Sequence, residues 1–383
     1  MNWPVVKLGS VAEFIRGITF TPKDVAEGAA TDAVAVMRTK NVQEQLDLND
    51  VWQIDRRFVK NKNQFLEEGD LLVSSANSWN LVGKASWVPS LDYEASFGGF
   101  VTVLRGDKKQ IDRRYLYYWF VSAPIQDLLR SFSNKTTNIS NLSLSRARDL
   151  EIPLPPLAEQ QRIAELLDTA DRILKLRKQA IAKLDALAQS VFANMFLGGN
   201  WASKCLMQLG TVKTGRTPSS AKNGMFGTDI PFVTPGDLQS KSQPKRYLSI
   251  AGAAESVVVK KGSALVCCIG ATIGKMDKAK TDSAFNQQLN AVEWGNEINE
   301  DYGIFALLNI KNKIVNGGIA TTLPILKKSL FEKLEIKVPP ISLQTEFSQY
   351  IAAIEEQKKR CVRQLEAACV MTSSLQSQSF ATN

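Results

Sequence analysis

The chain has 383 residues, 44% hydrophobic and 22% charged, and its 47 Lys and Arg against 38 Asp and Glu leave a formal charge of +9. That composition suits two or three globular domains, and the basic balance favours a polyanionic partner, nucleic acid before a membrane surface. Histidine is absent, which removes Ser-His-Asp and Cys-His nucleophiles, His-ligated metals and imidazole proton shuttles.

The opening MNWPVVKLGS lacks the sections of a signal peptide, and no apolar run approaches the roughly 20 residues of a membrane span. A cytoplasmic chain without membrane association is expected. Its first half then proves to be repeated in its second. Leu8-Gly9-Ser10-Val11 matches Leu209-Gly210-Thr211-Val212, and Thr21-Pro22 matches Thr217-Pro218. Glu68 to Ser74 lies over Lys261 to Cys267, Val82-Gly83-Lys84 over Ile273-Gly274-Lys275, and Ala95-Ser96-Phe97 over Ser283-Ala284-Phe285. Between these anchors the halves diverge, above all at Ser75 to Leu81 against Cys268 to Thr272 and around Arg38 to Asn41 against Thr234 to Asp237. One frame carries two different surfaces.

Within each half, short apolar runs (DLLVSS, FVTVL, SALVCCI, LNAVEW) stand between Gly, Asn, Asp and Pro turn residues, the pattern of a mixed α/β domain with a mostly antiparallel or mixed sheet. The clearest helical stretches inside the domains are Arg114 to Phe132 and Tyr302 to Val315. Five cysteines, Cys205, Cys267, Cys268, Cys361 and Cys369, form no C-x-x-C pair. They are expected to be reduced and partly buried, with no bound metal.

Each half closes on one phrase, LEIPLPPLAEQQ at 150 to 161 and LEIKVPPISLQT at 334 to 345, after which the pattern turns helical. The first proline restrains the residue before it and the second suits the first helical position, so both pairs read as helix starts; Glu159 adds a carboxylate at the positive end of the dipole. In the first helix Ile163, Ala170, Arg177, Leu184 and Val191 hold one heptad position and Leu166, Ile173, Ala180, Leu187 and Asn194 the other. Leu167, Leu174, Ile181 and Ala188 widen the stripe beyond a two-stranded seam. The second helix places Phe347, Ile354, Cys361, Ala368 and Leu375 at one position and Tyr350, Gln357, Gln364, Met371 and Gln378 at the other, a less apolar face. A run of about 40 residues makes a rod of roughly 60 Å, too long for the inside of a small domain. An amphipathic helix more often just covers its own domain, but length and duplication favour two spacers packed antiparallel.

Catalytic motifs fail on inspection. Gly270-Ala271-Thr272-Ile273-Gly274-Lys275-Met276 has one residue too few for a P-loop and Met276 where a magnesium-binding hydroxyl belongs. Leu154-Pro155-Pro156-Leu157 lacks the polar and aromatic ends of an amino-methyltransferase loop, and Glu335-Ile336-Lys337 has the spacing of a nuclease metal site without the preceding Pro-Asp.

Taken together, IPLPPLAEQQRIAELLD at 152 to 168, its weaker copy IKVPPISLQTEFSQYIAAI at 336 to 354, the L-G-S/T-V openings and the Gly-Lys segments resemble the specificity subunit of type I restriction-modification enzymes over essentially the whole chain. The second copy keeps Gln344 but has Leu343 in place of Glu159 and Phe347 in place of Ile163. The resemblance implies two target-recognition domains, 1 to 155 and 199 to 338, related by pseudo-two-fold symmetry and joined by two long antiparallel coiled-coil helices, 156 to 198 and 339 to 383. Each domain would read one half of a split, asymmetric double-stranded DNA site while the helices fix the unread gap. It implies no catalysis and no cofactor in this chain. S-adenosylmethionine would belong to two methyltransferase subunits, and ATP and magnesium to up to two motor-nuclease subunits.

Candidate DNA contacts are the polar residues of the divergent segments: Arg38, Lys40, Asn41, Asn77, Trp79, Asn80, Lys84, Lys135 and Asn138 in the first half, and Lys213, Arg216, Thr217, Lys241, Lys245, Arg246, Thr272, Lys275 and Gln287 in the second. Arg and Lys pair with guanine edges or phosphates, Asn and Gln with adenine. Singly, each is as well explained as a solvated loop residue, and Trp79 equally suits a lid over the core. The loops Asn77 to Asn80 and Ser133 to Asn138, where aromatic, amide and basic residues interleave, are the strongest candidates. For partner helices the candidates are Ile163, Leu166, Leu167, Ile173, Leu174, Ile181, Leu184, Leu187, Phe347, Ile351 and Ile354. Two other functions fit less well: a coiled-coil scaffold whose domains bind proteins, and a self-contained DNA enzyme.

Overall fold

The structure is a computed structural model that describes residues 3–25, 32–135, 139–240, 242–318 and 324–380. It divides into two compact units, Met1–Arg177 with Gln364–Asn383, and Lys178–Arg363. No helix among the described residues is long and apolar enough to cross a membrane.

In the first unit, a four-stranded antiparallel sheet runs in the order Ala12–Arg16, Val101–Gly106, Leu71–Ser74, Ala85–Trp87. A second sheet orders Trp52–Asp55, Ala33–Met37 and Ala95–Phe97, the last two parallel. The central strands are apolar on both faces because both faces are covered. Phe14, Leu71, Val73 and Leu104 pack with Tyr115, Trp119, Ile163 and Leu167 on the helical side. Ile15, Leu72 and Val103, one residue out of step, pack with Met37, Val88 and Phe97 beneath the second sheet. Val5–Lys7 pairs with Glu151–Pro153 and closes the unit just before the Pro-Pro phrase.

The second unit repeats the plan. Its antiparallel sheet orders Gly210–Thr214, Leu289–Trp294, Ala264–Cys267 and Met276–Lys278. The other sheet orders Arg246–Leu248, Phe226–Val233, Ser283–Phe285 and Val258–Val259, and Ala202–Cys205 pairs with Glu335–Val338. The glycine anchors coincide: Gly69 and Gly262 have φ of 89° and 88°, Gly83 and Gly274 82° and 81°, a region that side chains rarely enter.

One anchor is corrected. Ala12 pairs with Gly106 and Gly210 with Trp294, while the Leu8 and Leu206 N–H groups donate to Leu150 and Leu334 carbonyls at 2.7 and 2.9 Å. Leu8 therefore corresponds to Leu206, and the L-G-S/T-V match is three residues out of register. Both leucines are fully buried at the mouth of the closing strand pair, and that pairing, not the resemblance of letters, sets the equivalence. The expected helix Arg114 to Phe132 is also two helices, Arg113–Phe120 and Ala123–Ser131, with Pro124 at the start of the second. A continuous helix would lack the Pro124 N–H needed by the Phe120 carbonyl. Its counterpart breaks at Ile310 into Glu300–Asn309 and Lys311–Asn316.

Each closing strand leads to a 40-residue helix, Leu157–Phe196 and Ile341–Phe380, about 60 Å long at 1.5 Å per residue. The carbonyls of Pro156 and Pro340 accept the first helical hydrogen bonds from Gln160 and Gln344, so the second proline stands at the cap, one position before the expected place. In the second unit Phe192 and Phe196 pack on Phe347 while Asp185 pairs with Lys358. In the first, Leu375 and Phe380 join the core that holds Ile163 and Leu167. The two helices therefore run in opposite directions. All five cysteines are free; burial pushes the Cys268 thiol up to about 12, which leaves it inert.

Candidate nucleic-acid interface

In each unit the strand registers put the variable loops at one end of the sheets and the long helix at the other. Arg16 lies opposite Thr102 and Ser74 opposite Val101, and Met37 lies beside Phe97. The loops after residues 16 and 37, the hairpin 74 to 84 and the turn 98 to 100 therefore share an end. The opposite end, at Gly106 and Asp70, meets Arg113–Phe120 and the start of the long helix.

Hydrogen bonds knit this loop end in the first unit. The Ser75 N–H donates to the Phe100 carbonyl at 3.0 Å, and the Leu142 N–H to the Ser75 carbonyl at 2.8 Å. Lys84 Nζ donates to Gln43 Oε1 at 2.7 Å, which ties the hairpin to the loop after Met37. The Arg38 guanidinium lies 3.7 Å from the centre of the Trp52 ring and pairs with Asp50. Lys40 also pairs with Asp50 and, with Arg38, holds its carboxyl below the usual range. Asn41 is corrected: it is fully buried, accepts from the Arg38 N–H at 2.8 Å and donates to the Asp47 carbonyl at 2.7 Å, so it is the pivot of the turn with nothing left for a ligand. In the second unit the half-buried Asp237 takes only the accepting part of this role, from the Thr234 N–H at 2.9 Å. Asn77 Nδ2 is turned back to Ser74 Oγ at 3.0 Å, and Trp79 and Asn80 are exposed on the hairpin. Asn138 lies outside the described residues, as does the side chain of Lys135.

The second unit is built alike with other side chains. The Cys268 N–H donates to the Gln288 carbonyl at 2.9 Å and the Leu326 N–H to the Cys268 carbonyl at 2.8 Å. Thr217 Oγ1 donates to Gln287 Oε1 at 2.7 Å, which joins two candidates that lie 70 residues apart in the chain. Arg216, Lys245, Thr272 and Gln287 are exposed; Arg246, also exposed, lies over Phe226 at 4.2 Å. Lys213 pairs with Glu293 on the sheet, and Lys275 Nζ donates to the Pro235 carbonyl at 3.1 Å, so both also brace the fold of their own unit. Lys241 lies outside the described residues.

The helix end carries groups that the sequence did not single out. Gln160 Oε1 accepts from the Asp112 N–H at 2.8 Å and its Nε2 donates to the Pro155 carbonyl at 2.8 Å. Gln344 does the same with the Asn299 N–H and Pro339 carbonyl, each at 2.8 Å. Tyr115 and Tyr302 donate to the Pro153 and Lys337 carbonyls at 2.9 and 2.7 Å. Ile163, Leu167, Phe347, Ile351 and Ile354 are buried in the cores of their own units, where each core also holds residues of the other long helix, Phe192 and Phe196 beside Phe347, and Leu375 and Phe380 beside Ile163 and Leu167. Leu174, Ile181 and Leu184 are half-buried, while Leu166, Ile173 and Leu187 of the first long helix stay exposed.

Phe100 is exposed as well, and Gln288 beside Gln287 is half-buried. Extending the Phe97 and Phe285 anchors by three residues sets Gly98-Gly99-Phe100 against Asn286-Gln287-Gln288, the signal by which sequence comparison could have found them.

The model of the type I restriction modification DNA specificity domain matches residues 1–186 and again 198–366. A putative type I restriction enzyme MjaX specificity subunit from Methanocaldococcus jannaschii is 24% identical over 331 residues, covering 78% of this chain and 75% of its own. The type I restriction enzyme EcoKI specificity subunit of Escherichia coli K12 is 30% identical over 169 residues, 44% of this chain and 36% of its own. A solved S subunit of a type I restriction-modification system from M. genitalium has a TM-score of 0.62 at 16% identity, with 100% of this chain and 96% of that one covered, and so has the same fold. With two copies of the domain in one chain, each ending in a long helix, this protein belongs to the family of type I restriction-modification specificity subunits.

Proposed function

We propose that the chain is the sequence-reading subunit of a type I restriction-modification complex and has no catalysis of its own. Residues 1 to 155 and 199 to 338 act as two target-recognition domains, each taking one half of a bipartite, asymmetric double-stranded DNA site. The helices 156 to 198 and 339 to 383 set the gap between the halves and dock two methyltransferase subunits, with up to two motor-nuclease subunits beyond them. The observation that carries this reading is one frame, fixed by the same glycines and main-chain bonds, that brings different side chains to the same loop end. Two different readers suit an asymmetric site, where identical ones would suit a palindrome.

Lys40, Asn77, Trp79 and Asn80, with Arg216, Thr217, Lys245, Arg246, Thr272 and Gln287, supply the DNA contacts. Leu166, Ile173 and Leu187 supply the helical face for methyltransferase subunits. S-adenosylmethionine, ATP and magnesium belong to the partner subunits, and the complex works in the cytoplasm. The test is co-expression with a cognate methyltransferase and base-resolved mapping of host methylation. A split, non-palindromic motif that disappears when the chain is deleted is the expected result. Methylation that persists without the chain, or falls on a continuous palindrome, refutes the reading.

A further inference from the structure

The turn at the centre of the loop end is built twice with the same backbone and opposite chemistry. In the first unit the Gly98 N–H donates to Met37 O at 2.9 Å and Val101 N–H to Gly98 O at 2.9 Å. Ile18 N–H donates to Phe97 O at 2.8 Å and Ser75 N–H to Phe100 O at 3.0 Å. In the second, the corresponding donors Asn286, Leu289, Arg216 and Cys268 reach Val233, Asn286, Phe285 and Gln288 carbonyls at 3.1, 3.1, 2.9 and 2.9 Å. Four main-chain bonds thus fix each turn, and in the second unit the buried Asn286 side chain adds two more, accepting from the Gln288 N–H at 3.3 Å and donating to Gln288 Oε1 at 3.0 Å, with no part for Gln287.

What the tips display is not required by the fold. Phe100 is 66% exposed, more than any other aromatic side chain among the described residues. A phenyl ring gains from burial, and nothing among the described residues of its unit buries this one. Gly99 beside it is exposed and carries no side chain, so the backbone next to the ring can approach a surface closely. At the matching tip Gln287 is exposed, its Oε1 held by Thr217 at 2.7 Å, and its Nε2 has no partner among the described residues. One tip is an apolar knob and the other an oriented amide.

We propose that this turn is the base-reading crest of each domain: Phe100 contacts a thymine C5-methyl in one half-site, and Gln287, oriented by Thr217, bonds an adenine edge in the other. The major groove shows the methyl only at thymine, and a paired donor and acceptor suited to glutamine at adenine. The assignment rests on the reading of the two domains as recognition domains.

The test uses the assembled methyltransferase complex with Phe100→Ala, Phe100→Gln, Gln287→Ala and Gly99→Gln. A Cβ on Gly99 would meet only Ile18 O at 3.5 Å, an ordinary contact, so Gly99→Gln keeps the fold while changing the crest. Motif mapping should show discrimination at one thymine-adenine pair of one half-site relaxed by about tenfold in the Phe100 variants, with the other half-site unchanged. Gln287→Ala should relax only the other half-site, and Gly99→Gln should disturb only the half-site of Phe100. On oligonucleotides of the mapped motif, deoxyuridine in place of that thymine should weaken wild-type binding about fivefold and leave Phe100→Ala binding unchanged. Wild-type discrimination in both Phe100 variants, or a uniform loss at every site with the motif intact, overturns the crest while the recognition function stands. Methylation independent of the wild-type chain overturns both.

Discussion

Gln160 and Gln344 join each long helix to its domain through one amide that is both acceptor and donor. Each is buried, and each satisfies the backbone N–H at the cap of the domain helix together with the carbonyl of the first proline. Truncation leaves both backbone groups without partners inside the protein. Gln160→Ala and Gln344→Ala should each lower stability by about 2–3 kcal/mol in urea unfolding, and a loss under about 0.5 kcal/mol would show that water replaces the clamp. Asp171 makes the opposite prediction. Burial raises its carboxyl above the usual value, and the Tyr118 hydroxyl and Arg114 offset only part of that effect. A raised acid binds its proton more tightly in the folded state, so stability falls as pH rises through the folded value. Asp171→Asn, which can still accept from Tyr118, should therefore raise Tm at pH 7. Its advantage should shrink as the pH drops through the range in which the wild-type carboxyl also takes up its proton.

The long helices separate residues that serve the fold from residues that are spare. Leu167 is fully buried against Tyr115 and Trp119, whereas its neighbour Leu166 is 42% exposed. Leu167→Ala should destabilise the isolated chain by about 2–5 kcal/mol. Leu166→Ala should leave its melting unchanged and weaken co-purification with the methyltransferase. The repeat, the glycine anchors and both helix starts could be read from the sequence because each depends on a local rule: left-handed φ, proline geometry, heptad spacing. The register of Leu8 against Leu206 could not, since a long-range strand pairing decides it. Nor could the division of the helical stripe into buried and exposed leucines, because it depends on which face the domain takes. The joints show the same limit. In the first unit Arg114 lies under 5 Å from the Trp87, Tyr117 and Tyr118 rings and pairs with Asp168, while in the second Lys278 and Ser348 meet Asp301. Among the DNA candidates, Asn41, Lys84 and Lys275 look like surface residues in a one-dimensional string, yet the fold uses them as a pivot and two braces.

At the scale of the whole chain, the two units divide both helices between them: residues 157 to 177 and 364 to 380 fall in the first, 178 to 196 and 341 to 363 in the second. The helices thus belong to both cores, while the loop ends lie at the far end of each sheet, so exchange of one recognition domain over a kept helix face should change half of the target. The boundaries of such an exchange follow from the closing strands. Ala202–Cys205 and Glu335–Val338 pair over four positions, and a cut between them would leave one strand facing a partner it did not evolve with. Residues 200 to 338 should therefore be transplanted as a block from a relative of different specificity, with Gln344 and the helix kept. Mapping of methylation should then return a motif with one half replaced, the other half retained and the gap unchanged. A changed gap would mean that the domain, and not the helices, sets the spacing. If both halves changed, the two surfaces would be acting as one reader, and the independence implied by two separate cores would be lost. The same block carrying Gln287→Ala links the two scales: if the Gln287 crest reads a base, the relaxed position must travel with the transplanted half.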